Sequence, residues 1–170
     1  MAAAISITES QIFALLRAFF LTLVDCEVVQ GQGNRVPMPA GDFILITPGR
    51  GQPLGAPVQS YDASALQTMS IAQPTEFRVA VDCYGALSGD RARILSIATR
   101  SSYACDQLPG IAPLFVDDAV QFPLVDGEHQ YEERWRFECV LQYTPSVTVP
   151  QQSMIAVAID VLNVDATYHP

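Results

Sequence analysis

The first regular signal along the chain is helical. Ile12, Leu15, Leu16, Phe19, Phe20 and Leu23 recur three and four positions apart, which gathers them into one wide apolar stripe on a helix surface. Thr8 stands ahead of them as an N-cap, and Gln11, three residues later, completes a capping box. Glu9 places an acid in the first turn, where the helix dipole favours it. The spacing predicts a helix that ends near Asp25.

Further on the period changes. A short strand is expected at residues 27–30, followed by a loop over 31–41 that is dense in Gly, Asn and Pro. Residues 42–47 (DFILIT) read as a strand ended by Pro48-Gly49-Arg50-Gly51-Gln52-Pro53, and 54–60 read as an extended arm. Residues 61–72 and 76–84 read as two strands joined at Gln73-Pro74-Thr75. In the second, Phe77, Val79, Val81 and Cys83 alternate with Arg78, Ala80 and Asp82. Ser88 then offers an N-cap for a second helix over about 90–103, with Ile94, Leu95, Ala98 and Ser102 on its inner face. Residues 111–118 are short and extended, and Val125-Asp126-Gly127-Glu128 carries an Asp-Gly turn signal.

The clearest strand pattern runs over 130–143. Tyr131, Trp135, Phe137, Cys139, Leu141 and Tyr143 fall on one side with Glu133, and Glu132, Arg134, Arg136, Glu138, Val140 and Gln142 on the other. Unbroken, such a strand would run to about 45 Å at ~3.3 Å per residue, long for a small domain. Pro145 and Pro150 bracket an expected break, and residues 154–164 supply a last alternating segment before a loose tail at 165–170. The order helix, strands, helix, strands predicts an α+β fold: a mixed, mainly antiparallel sheet with two helices packed on one face. The length of 170 residues fits a single domain spanning 1–170.

Composition narrows the function. Apolar residues make up 49% and charged residues 16%, a globular balance with a surplus of apolar surface suited to burial between subunits. The net charge is −9 and there is no lysine, so the clustered cations that hold phosphates are missing and tight nucleic-acid binding is not expected. Cys26, Cys83, Cys105 and Cys139 are well separated with no CxxC pair, which argues against a zinc or redox motif and for buried or half-buried free thiols. The N-terminus has no basic region of a signal peptide, and the apolar run over 12–24 is interrupted by Arg17 and too short for a bilayer. A soluble, intracellular protein that contacts no membrane is the expectation.

Candidate chemistry is sparse. Gly31-Gln32-Gly33-Asn34 lacks the third glycine of a dinucleotide loop and the Lys-Ser/Thr of a phosphate loop, so it reads as a tight turn. His129 has acids nearby but no evident nucleophile, and His169 stands next to the C-terminus. The densest charge lies in Asp117, Asp118, Asp126, Glu128, Glu132 and Glu133, whose spacing fits no EF-hand loop. Three readings of it stand: a solvated sheet edge; a docking patch in an assembly, with Arg134 and Arg136 as opposite-sign partners across a subunit boundary; and a hydrolase site built on Asp117, Asp118 and Glu132. The hydrolase reading requires one pocket that gathers those three side chains. No cofactor or metal is expected.

Four segments in order carry a resemblance. They are Val29-Gln30-Gly31-Gln32-Gly33-Asn34-Arg35-Val36-Pro37 with Pro39, Gly41-Asp42-Phe43 and Thr47-Pro48; Tyr103-Ala104-Cys105-Asp106-Gln107 with Gly110-Ile111-Ala112-Pro113-Leu114-Phe115 and Asp117-Asp118; Pro123-Leu124-Val125-Asp126-Gly127-Glu128 with Gln130-Tyr131-Glu132-Glu133-Arg134-Trp135; and Val140-Leu141-Gln142-Tyr143 running to Val147-Thr148-Val149-Pro150-Gln151-Gln152. Together, from about Val29 to Tyr168, they resemble the neck terminator, or tail terminator, family of tailed bacteriophages. The resemblance implies an α+β virion protein, assembled in the host cytoplasm, that forms a homohexameric ring. Such a ring caps the tail tube, stops its growth and joins the tail to the head connector while DNA passes through its hole. The implied partners are further copies of the chain, the tail tube protein, a sheath protein and the head–tail connector or adaptor. It brings no catalytic residue. Expected contact surfaces are the long strand, the arm over 52–60, and Asp117, Asp118, Glu128, Glu132, Glu133, Arg134 and Arg136. A small cytoplasmic binding module, which needs no closed ring, is the other non-enzymatic reading.

Overall fold

The computed structural model describes residues 3–33, 39–61, 68–125 and 131–151. The chain starts with helix α1 (Glu9–Leu21), whose capping box forms as its sequence dictates: Thr8 Oγ1 accepts from the Gln11 backbone N–H at 3.3 Å, and the Thr8 N–H donates to Gln11 Oε1 at 2.8 Å. Strands β1 (Glu27–Gln30), β2 (Phe43–Pro53), β3 (Val58–Tyr61), β4 (Thr68–Ala72) and β5 (Thr75–Tyr84) follow, then helices α2 (Ser88–Thr99) and α3 (Ser102–Gln107). Strands β6 (Ile111–Val116), β7 (Val120–Gln121), β8 (Leu124–Val125), β9 (Tyr131–Glu132), β10 (Arg134–Tyr143) and β11 (Ser146–Pro150) complete the described elements. The fold is α+β, as the alternation of periods predicts.

The main sheet runs β1-β2-β5-β10-β6, with β7 pairing the start of β10 beyond β6. Only β1 and β2 are parallel; the other pairs are antiparallel. A smaller sheet has the order β11-β4-β3, and β8 pairs with β9. The helices pack on one face. Ile12, Phe13, Leu16, Phe19 and Phe20 of α1 and Ala92 and Leu95 of α2 share one buried cluster with Ile44, Ile46, Phe77, Val79, Val81, Phe137, Cys139 and Leu141. Phe77 at its centre meets Phe13 edge-to-face at 6.1 Å and Tyr143 at 6.2 Å.

Several expectations are corrected. β2 does not stop at Thr47 but continues through Pro48 to Pro53 with a register shift between Pro48 and Gly51. Beyond Ile46 no strand pairs its other side among the described residues, so prolines cost no ladder bond there. Tyr61 does not begin the strand that holds Thr68–Ala72: it ends β3 and lies opposite Met69. The second helix is two helices, parted at Arg100 and Ser101. Its inner face holds Ser88, Ala92, Leu95, Ser96 and Thr99, while Ile94 faces outward and Ser88 is a helical residue rather than the cap. Ser96 and Thr99 fit inside because Ser96 Oγ donates to the Asp117 carbonyl (3.1 Å) and Thr99 Oγ1 to the Leu95 carbonyl (2.7 Å).

The long strand over 130–143 is interrupted at Glu133, whose carbonyl accepts from the Gly85 N–H at 3.2 Å. The stretch between Pro145 and Pro150 is not a break but β11. Cys83 and Cys139 are buried and Cys26 half-buried as expected, but Cys105 is exposed. The Asp126-Gly127 turn, Glu128, both histidines, the segment at 154–164 and the tail at 165–170 lie outside the described residues.

Candidate functional site

The acids that crowd together in sequence separate in space. Asp117 and Asp118 follow β6, where the chain crosses toward β7; Glu132 ends β9 and Glu133 precedes β10. Asp117 and Asp118 line two neighbouring depressions. One, of about 500 Å³, is bounded by Arg100, Pro113, Leu114, Phe115 and Val116. The other, of about 360 Å³, is bounded by Val120, Phe122, Arg136, Phe137 and Glu138. Glu132 and Glu133 line a different cleft of about 710 Å³ with Asp42, Phe43, Tyr84 and Gly85. Asp117 and Asp118 therefore share no pocket with Glu132, and the gathering that hydrolysis requires is absent among the described residues. Nor does any group of three or more His, Cys, Asp or Glu there have metal-holding geometry.

The arginines are largely spent inside the chain. Asp82, buried on β5, receives Arg134 at 2.9 Å from the neighbouring β10 and Arg136 at 3.9 Å. This follows from the register, since Arg136 lies directly opposite Asp82 and Arg134 lies opposite Tyr84, over whose ring its guanidinium sits at 5.6 Å. The same face carries a second ladder, in which Arg78 bonds both Glu76 (2.8 Å) and Glu138 (3.1 Å). Arg100 bridges Asp118 (2.6 Å) and donates to the Val116 carbonyl (2.9 Å). Arg91 holds Asp42 at 2.5 Å behind Gly85, where an added Cβ would clash with the Asp42 carboxylate. Burial pushes the Tyr84 hydroxyl up from its ordinary pKa.

What the sequence reading missed is apolar. On β6, on β7 and just after β7, Leu114, Phe115, Val120 and Phe122 stand exposed around Asp117 and Asp118, Phe115 at 60%. On the outer side of α2, Ile94 and Ile97 are exposed, Ile97 at 68%. The pairing Phe115↔Val140 puts Phe115 on the same sheet face as Val140, opposite the helices. The signal for it was the apolar run Leu114-Phe115-Val116, of which only Val116 is buried, since the register shifts between Pro113 and Phe115. An acidic rim studded with large apolar side chains, whose described arginines Arg100 and Arg136 are paired with Asp118 and Asp82, suits a protein surface better than a phosphate backbone. No helix among the described residues is long and apolar enough to cross a membrane.

No curated protein is significantly similar to the chain. The model of one protein family, described as Phage neck terminator protein, matches residues 10–170.

Proposed function

The chain belongs to the phage neck terminator family, hence is a structural, non-enzymatic protein of the virion tail or neck that works with other tail components, and from that premise we propose that it forms a closed ring capping the tail tube. The ring has six-fold symmetry, ends tube growth, and joins the tail to the head connector, with a sheath protein as a further partner where the tail has one. DNA passes through its hole. The observation that carries this reading is the family match over nearly the whole chain. The exposed apolar side chains on β6, β7 and α2 support it, because subunits in a ring have apolar surface to bury. The net charge of −9 and the absence of lysine support passage rather than capture of DNA, since like charges repel.

Light scattering and negative-stain electron microscopy of the purified protein, alone and mixed with tail tube protein, test the reading. The expected result is a ring of six subunits with a central hole in at least one sample. A particle that stays monomeric in both overturns it.

A further inference from the structure

Helix α2 carries large apolar residues on two sides. Ala92 and Leu95 face the sheet, while Ile94 and Ile97, three positions apart, stand exposed on the outer side. Arg93 lies one turn before Ile97 on that same outer side. Its guanidinium rests over the Trp135 ring at 5.0 Å, and its side chain is 61% exposed. Among the described residues its one carboxylate partner is Asp90, at 3.8 Å and itself exposed. So long and solvated a pair neutralises little, and the aromatic ring holds the cation in place.

The rim at β6 and β7 has the complementary make-up. Leu114, Phe115 and Val120 stand exposed around Asp117. Arg100 is engaged by Asp118 and Arg136 by Asp82, and among the described residues no arginine forms an ion pair with Asp117. An apolar surface with a carboxylate in need of a cation thus lies on the same chain as an apolar surface with a cation in need of a carboxylate.

The two patches look away from each other. α2 covers one face of the main sheet, and Ile97 points away from that sheet. Phe115 lies opposite Val140 and Val120 opposite Arg136, which puts both on the other face. One copy therefore cannot close its own rim with its own helix. Rim against rim in a two-fold dimer brings two unpaired Asp117 carboxylates together, which opposes that pairing. Helix against rim brings Arg93 to Asp117 and sets Ile94 and Ile97 on Leu114, Phe115 and Val120.

We infer that the outer side of α2 in one copy docks on the β6–β7 rim of the next copy, with Arg93 facing Asp117. The two surfaces differ, so the contact is head-to-tail, the kind that closes rings. Because they lie on opposite faces of the sheet, each copy can engage a neighbour on both sides at once. The inference rests on the ring reading above and supplies its joint.

The test uses the full chain under whichever condition closes the wild-type ring, read by sedimentation across a dilution series. Ile97→Glu places a charge in the apolar contact, and Arg93→Glu and Asp117→Arg each set like charges against each other. All three positions are exposed, so each variant is expected to keep the urea midpoint of the wild-type subunit. Each single change is expected to raise the concentration needed for assembly by roughly ten-fold or more. The double variant, Arg93→Glu with Asp117→Arg, restores the pair with its signs exchanged and is expected to assemble within about three-fold of wild type. A misfolded subunit cannot be rescued by a second charge reversal, so recovery separates loss of the contact from loss of the fold. A ring that Ile97→Glu leaves intact, or a double variant that assembles no better than Arg93→Glu alone, overturns this inference alone. A wild-type protein that never forms a ring overturns it together with the reading on which it rests.

Discussion

Asp82 occupies a strand position that simple alternation assigns to solvent, yet it is 2% exposed. It is tolerated there because Arg134 reaches it at 2.9 Å from the adjacent strand. Removing the carboxylate takes away the counter-charge that Arg134 and Arg136 share. We expect Asp82→Ala to destabilise the fold by about 3 kcal/mol, at the low end of the range for a broken buried pair because Arg134 is partly solvated. Urea unfolding followed by circular dichroism measures it. Cys83 gives a second residue-scale expectation. Burial pushes its thiol up from 9.0 to about 12, and burial likewise raises Cys139 and Cys26. The folded state then keeps protons that the unfolded chain releases, so this contribution to stability is complete below pH 9 and declines as pH rises from 9 toward 12. The urea midpoint should therefore fall through that window; a midpoint that stays flat to pH 11 would contradict it.

At the scale of elements, α1 is specified twice, once by its cap and once by its stripe. Thr8→Ala removes the acceptor for the Gln11 N–H and should cost about 1 kcal/mol, visible as a fall in Tm of about 2–4 °C. The buried stripe still anchors the helix, so the loss should be local and the fold retained. α2 is the opposite case. Its apolar residues do not form one clean stripe, and its inner face is settled by hydrogen bonds from Ser96 and Thr99. Sequence periodicity chose Ile94 for the interior because periodicity weighs hydrophobicity and ignores whether a small hydroxyl finds a carbonyl. The core side of β10 was legible, since Phe137, Cys139 and Leu141 all fall on it, although the strand begins at Arg134 rather than at 130.

For the whole molecule, the consequence of the fold is an apolar sheet face packed against the helices and an opposite face that is more polar. The opposite face carries the Asp82 and Arg78 ladders, and Phe115 lies on its β6 side. If subunits bury the exposed rim on assembly, Phe115→Ser should leave the stability of the free subunit within about 0.5 kcal/mol, because the ring is already 60% exposed. The same change should weaken assembly by about 1–2 kcal/mol, read by sedimentation across a dilution series. Equal assembly of variant and wild type would place the subunit boundary elsewhere.

Local rules acting on the chain determined the fold class, the capped first helix, the core side of β5 and β10, and the resemblance to phage terminators. Each depends on neighbours within a few residues or on the order of segments. Tertiary structure alone decided where β2 really ends, since its prolines are harmless only because β1 stops at Gln30. It alone divided the acid cluster between separate clefts, because Glu133 interrupts the long strand and β7 intervenes. It alone turned Asp82 inward, because its counter-charges lie about fifty residues away in sequence and meet it only through the β5–β10 register.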